Sequence, residues 1–162
     1  MAADETPGWF ASRDDIQVRD VSVALDPADR RAIVVRHATA IVPAMAYQRL
    51  VTTGASQAGV NATGSLGHGT ISVAVSVSLL RLTVSFEPMV RNGLLILQPR
   101  SGVPGWLIGR AAPMVGRTAG LTMSGDGRVT VDLAALVPGG VRLLTGFTSF
   151  AVAPDQIVLT VG

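Results

Sequence analysis

Residues 71–86 read ISVAVSVSLLRLTVSF. Ile71, Val73, Val75, Val77 and Leu79 take every second place, opposite Ser72, Ala74, Ser76 and Ser78, which is the period of a strand with one apolar face. After Leu79-Leu80 the apolar set moves by one position, to Leu80, Leu82, Val84 and Phe86, opposite Arg81, Thr83 and Ser85. A shift of one residue carries side chains to the other face, and none of Leu79, Leu80 and Arg81 is a turn residue. The stretch therefore predicts one long strand of roughly 50 Å, bent by a β-bulge near Leu79-Leu80, that lets a sheet curl around an apolar interior. Two strands joined by a sharp turn at Leu80 would overturn this expectation and remove much of the support it lends to an apolar groove.

Outward from that stretch, the chain punctuates itself with turn residues. DIQVRDVSVALD places Ile16, Val18, Val21, Val23 and Leu25 in near-alternation with one slip at Asp20-Val21, and RRAIVVRHATAIV follows, so residues 16–42 predict a hairpin. Pro43 at a first helical position, apolar Tyr47, Leu50 and Val51 at helical spacing, and Gly54 as a stop predict one short helix. Residues 55–69, rich in glycine and small polar side chains, read as a mobile connection or a weak edge strand. EPMVRNG reads as a turn region with Asn92-Gly93 as a hairpin signal, and LLILQP as a strand. Trp106, Leu107, Ala111, Met114 and Val115 predict a second short helix that Pro113 kinks or divides. The last third holds a Gly125-Asp126-Gly127 turn between two arms, a break at residues 138–140, and two closing strands around Pro154-Asp155. The fold class is α+β: a mostly antiparallel, strongly curved sheet of about seven or eight strands with two short helices. Residues 1–14 read as a disordered or extended segment, with Trp9-Phe10 as an apolar anchor, and 15–162 as a single domain.

Composition narrows the function classes. Of the 162 residues 48% are hydrophobic and 15% charged, and the mean hydropathy is +0.45, yet no run approaches the roughly 18 apolar residues of a membrane helix. The apolar excess has to be buried piecemeal or used to bind something. All 13 basic residues are arginine. Seven of the 11 acids lie in the first forty positions against five arginines, a balance of −2, and the remaining eight arginines and four acids sum to +4. Those eight arginines are spaced singly and are not interleaved with aromatics, so nucleic acid is not expected as a partner. The N-terminus lacks a basic region followed by an apolar one, so the chain as written reads as cytoplasmic, or as extracytoplasmic if an export or anchor segment has been removed.

Catalytic signatures are missing from the sequence. There is no cysteine, hence no thiolate ligand or nucleophile and no disulfide. His37 in a strand and His68 in a loop have no carboxylate or second histidine at ligand spacing, so no metal is expected. Asp14-Asp15, Asp126, Asp132 and Glu87 sit in turns or at strand ends, and sequence brings no two of them into one cleft. Ser101 and Ser124 lie outside a nucleophile elbow, and the glycines of residues 59–69 match neither dinucleotide nor phosphate-loop spacing. The expectation is a protein that is not an enzyme and carries no cofactor.

The order of elements resembles one family. A helix such as AMAYQRLV, a long alternating strand ending in VRNGLLIL, a second helix, then GDGRVTVDLAAL and a closing PDQIVLTVG is similar to the LmeA-like phospholipid-binding proteins, relatives of the tubular lipid-binding (TULIP) group, over roughly residues 15–162. The resemblance implies a curved sheet wrapped against helices around an apolar groove for acyl chains, with no catalytic residue. Members of that family generally carry an export signal or anchor. On this reading Tyr47, Leu50, Leu80, Leu82, Val84, Phe86, Trp106, Leu107 and Met114 contact a lipid or other hydrophobic ligand, and Arg110 or Arg117 meets its headgroup. Peripheral membrane contact, with Trp9-Phe10 as its candidate, is a further expected interaction, and homo-oligomer formation belongs to a second reading. The alternative is a structural or self-associating β-rich protein that buries its apolar surface between subunits.

Overall fold

The computed structural model describes residues 16–28, 32–57, 59–117, 119–137 and 140–162. The predicted N-terminal segment, with Trp9-Phe10 and Asp14-Asp15, lies outside them. Within the described residues the fold is α+β, with two helices and eleven mostly antiparallel strands in two sheets. One curved sheet of seven or eight strands is thus replaced by two sheets.

The first sheet has the order β1 (Gln17–Leu25), β2 (Ile33–Pro43), β11 (Gln156–Val161), β10 (Phe147–Val152), with β9 (Val141–Leu143) added parallel to β2. β1 and β2 form the predicted hairpin, and the slip read at Asp20-Val21 is a register shift with Asp20 at φ 54°. His37 secures this irregularity, since its Nδ1 donates to the Asp20 carbonyl at 2.9 Å. In the β1–β2 turn, buried Asp26 accepts from the Ala28 amide at 2.9 Å and meets Arg142 of β9 at 3.0 Å, so its charge is compensated where it is desolvated.

The second sheet has the order β3 (Asn61–Leu66), β4 (Ile71–Val77), β5 (Leu80–Arg91), β6 (Leu94–Pro99), β8 (Val129–Val131), β7 (Leu121–Met123). Here residues 71–86 depart from expectation. They form a tight hairpin, with Val77 paired to Leu80 and only Ser78 and Leu79 between them. A two-residue loop pairs odd positions before it with even positions after it, as in Ile71–Phe86, Val73–Val84 and Val75–Leu82. The change of alternation is therefore the mark of the turn, and both apolar sets share one face of the sheet. Ser78 supplies the positive φ, 55°, that such a loop needs at its first position.

Other boundaries also shift. Pro43 ends β2 instead of opening the helix, and α1 (Ala44–Gln57) runs through Gly54. Residues read as a connection thus contain the end of α1 and the edge strand β3. EPMVR belongs to β5, and the turn is confined to Asn92-Gly93, both at positive φ. Pro88 is tolerated inside β5 because β4 pairs only as far as Phe86, which leaves one side of the strand without a partner in the sheet. α2 (Gly105–Arg117) includes Pro113 without being divided into two helices.

The two sheets meet over one apolar face of the second. Leu95 of β6 is buried with Phe147 and Val161, and Val42, Ala46, Ile71 and Ile157 form a second cluster where α1 enters. Phe147 and Phe150 cross edge to face at a centroid distance of 6.4 Å. At the far tip of β5 and β6, the Phe147 amide donates to the Gly93 carbonyl at 2.9 Å, so backbone joins backbone between the sheets.

Candidate functional site

The face of the second sheet that carries Ile71, Val73, Val75, Val77, Val84 and Phe86 is longer than the surface the first sheet covers. Its free part lies under α1 and α2, which leave a groove of about 400 Å³. α1 contributes Tyr47, Val51 and Ala55, four residues apart and hence on one stripe of the helix. α2 contributes Leu107, Ile108, Ala111 and Val115 in the same manner. Val60, Ala62, Leu97, Val103, Met123, Gly127 and Val129 add to the lining, and Arg110 is its only charged residue among the described residues. The groove runs from Ile71 and Leu97, which also pack into the core, towards Val60 and Val77 beside the β4–β5 turn.

Local sequence explains the close seat of α1. A Cβ on buried Gly64 of β3 would lie 2.7 Å from Tyr47 Cε1 and 2.9 Å from Val51 Cγ2, so only glycine lets the helix settle there. The Tyr47 hydroxyl donates to the Ser72 carbonyl at 3.0 Å, and burial raises its pKa above the ordinary phenol value. Behind the groove the opposite face is polar: Ser72 and Ser85 hydrogen-bond through their hydroxyls at 2.8 Å, and Arg81 and Thr83 are exposed.

Electrostatics set this region apart. α1, β3, β4 and α2 contain no aspartate or glutamate, while α1 carries Arg49 and α2 carries Arg110 and Arg117. Between Asp29 and Asp126 the chain has one acid, Glu87, and it pairs with Arg100 at 3.2 Å. Among the described residues no three His, Asp or Glu side chains gather in a way that could hold a metal ion, and no helix is long and apolar enough to cross a membrane.

Of the residues predicted to contact a ligand, Tyr47, Val84, Phe86, Leu107 and Arg110 line the groove. Leu50, Leu80, Leu82, Trp106 and Arg117 do not, and Leu50 and Trp106 are 58% and 44% exposed. Met114 lies in α2, but its side chain is outside the described residues. The lining residues that prediction missed are mostly valine and alanine. Val73, Val75 and Val77 carried the necessary signal in their alternation, whereas Ala55, Ala62 and Ala111 carried none, because alanine is equally at home on any helix face or small pocket wall.

Compared with protein-family models, with curated proteins and with solved structures, the chain matches none.

Proposed function

We propose that the protein is a non-enzymatic binder of a lipid or other hydrophobic ligand, held in the groove between the second sheet and its two helices. The observation that carries this reading is a preformed cleft of about 400 Å³ whose lining is apolar save for the Tyr47 hydroxyl and Arg110. Its volume falls within the roughly 300–1,000 Å³ of ordinary ligand sites. A buried methylene is worth about 0.8 kcal/mol, so an acyl chain of about fifteen carbons represents on the order of 12 kcal/mol gross before ordering costs. Binding then needs few polar contacts, and a functional site without a sequence motif follows. The reading rests on the groove and not on a bent strand, whose place the hairpin has taken. The resemblance to LmeA-like proteins makes a phospholipid the first ligand to test.

Organic extraction of the purified protein followed by mass spectrometry tests it, with the mass in solution measured in parallel. Stoichiometric lipid on a monomer is the expected result. A lipid-free protein that also takes up no fluorescent fatty-acid probe would reject the reading. One observation favours self-association as the second reading: Val21, Val23, Leu25 and Ile33 are exposed together near the end of the β1–β2 hairpin. A lipid-free dimer that falls apart on Leu25→Ser substitution would establish it instead.

A further inference from the structure

The β4–β5 turn combines features that loop formation alone does not require. Two-residue hairpin loops favour glycine, asparagine and aspartate, yet Leu79 occupies the second loop position and is fully exposed. Leu80, the next residue, is 65% exposed. Two adjacent leucines thus stand exposed at the end of the hairpin, and Val77, the strand partner of Leu80, is the last groove residue before the turn. Arg81 follows at once and is exposed. From Ala44 to Phe86, which spans α1, β3, β4 and the part of β5 that pairs with β4, the chain carries no acid. An apolar tip, an arginine directly behind it and a flank without negative charge complement an anionic bilayer surface, whose acyl boundary accepts leucine and whose phosphates attract arginine.

We propose that the β4–β5 tip docks the protein on the surface of an anionic lipid bilayer, with Leu79 and Leu80 entering the acyl boundary and Arg81 at the phosphates. Docking in this way brings the Val60–Val77 end of the groove to the membrane, a path for ligand exchange that rests on the lipid-binding reading above. The docking itself stands or falls separately.

The test uses vesicles of equimolar phosphatidylcholine and phosphatidylglycerol. Because the chain has no cysteine, Leu79→Cys accepts a single environment-sensitive fluorophore. Its emission shifts to the blue on vesicle addition if the tip inserts, and an unchanged emission overturns the proposal. In sedimentation, the double variant Leu79→Ser/Leu80→Ser is expected to lose about tenfold or more in vesicle affinity. Leu144→Ser is the control. It removes a leucine of similar exposure, 63%, next to Thr145, which approaches Gly93 at the opposite end of β5, and it leaves affinity unchanged. Equal losses in both variants, or equal binding to phosphatidylcholine alone, count against the assignment. A change in solution mass of the double variant with no change in vesicle binding identifies a second copy as the occupant and overturns it as well. Uptake of a fluorescent fatty acid added without vesicles separates the two readings: the tip variants keep it, and a wild-type protein that inserts its tip but takes up no fatty acid refutes the groove while leaving the docking intact.

Discussion

Tyr47 is the only tyrosine, and with no lysine and no cysteine in the chain it is the only side chain whose free, unfolded form titrates between about pH 9 and 12. Its ring lies against Gly64 and its hydroxyl reaches the Ser72 carbonyl, so burial holds the proton above the pH at which a free phenol releases it. An unfolded tyrosine ionises near pH 10. The raised folded value therefore contributes stability that is fully present below about pH 10 and is lost as pH rises beyond it. Denaturant unfolding at a series of alkaline pH values is expected to show that loss in the wild type and a flatter profile in Tyr47→Phe. At neutral pH the same substitution costs about 1 kcal/mol for the missing hydrogen bond. Two glycines give further residue-scale predictions. Gly64→Ala presses into Tyr47 and Val51 and is expected to cost about 1–3 kcal/mol while lifting α1 and weakening ligand uptake. Gly93 is more demanding, because it sits at φ 77° and any Cβ would collide with the Thr145 carbonyl. Gly93→Ala is expected to lower stability by about 3 kcal/mol or more without touching the groove, read as the shift of the denaturation midpoint.

At the scale of elements, the β4–β5 hairpin shows why part of the fold was legible and part was not. Alternation in residues 71–86 was visible and correctly implied extended structure, but it read as one bent strand with apolar sets on opposite faces, where the protein has two strands sharing one. What turn chemistry concealed was the turn, because Ser78-Leu79 lacks the glycine or asparagine that marks Asn92-Gly93. Ser78 is held at φ 55°, a conformation in which a Cβ is disfavoured. Ser78→Gly is therefore expected to stabilise the protein by up to about 1 kcal/mol, and Ser78→Val to destabilise it, both measured by thermal unfolding. The helices were legible from their apolar spacing, but their ends were not. Gly54 lies within α1, where Val51 and Ala55 on either side face the groove and override a weak local stop. β3 was uncertain for the opposite reason, since NATGSL has little strand propensity and is carried by its pairing with β4.

For the whole molecule, the number of sheets was the least legible feature. Each hairpin could be read locally, but joining β2 to β11 and β9 depends on contacts between residues more than a hundred positions apart, about which local alternation is silent. The same holds for the groove, which takes its walls from both helices, from all six strands of the second sheet and from the loop residues Val60, Val103 and Gly127. If a ligand occupies it, the folded state alone gains the binding energy, and the thermal midpoint is expected to rise with ligand concentration as mass action requires. A midpoint indifferent to saturating fatty acid or phospholipid would argue for an empty cleft.

The small side chains in that cleft carry one more consequence. Ala55, Ala62 and Ala111 line it where larger residues would fill it. The protein is then a folded state with part of its interior unfinished, and stability has been exchanged for space. Replacing Ala55 and Ala111 together by leucine would let the helices and the sheet complete one another, giving a solid version of the same fold. That variant is expected to be more stable by about 0.5–2 kcal/mol and to take up no ligand.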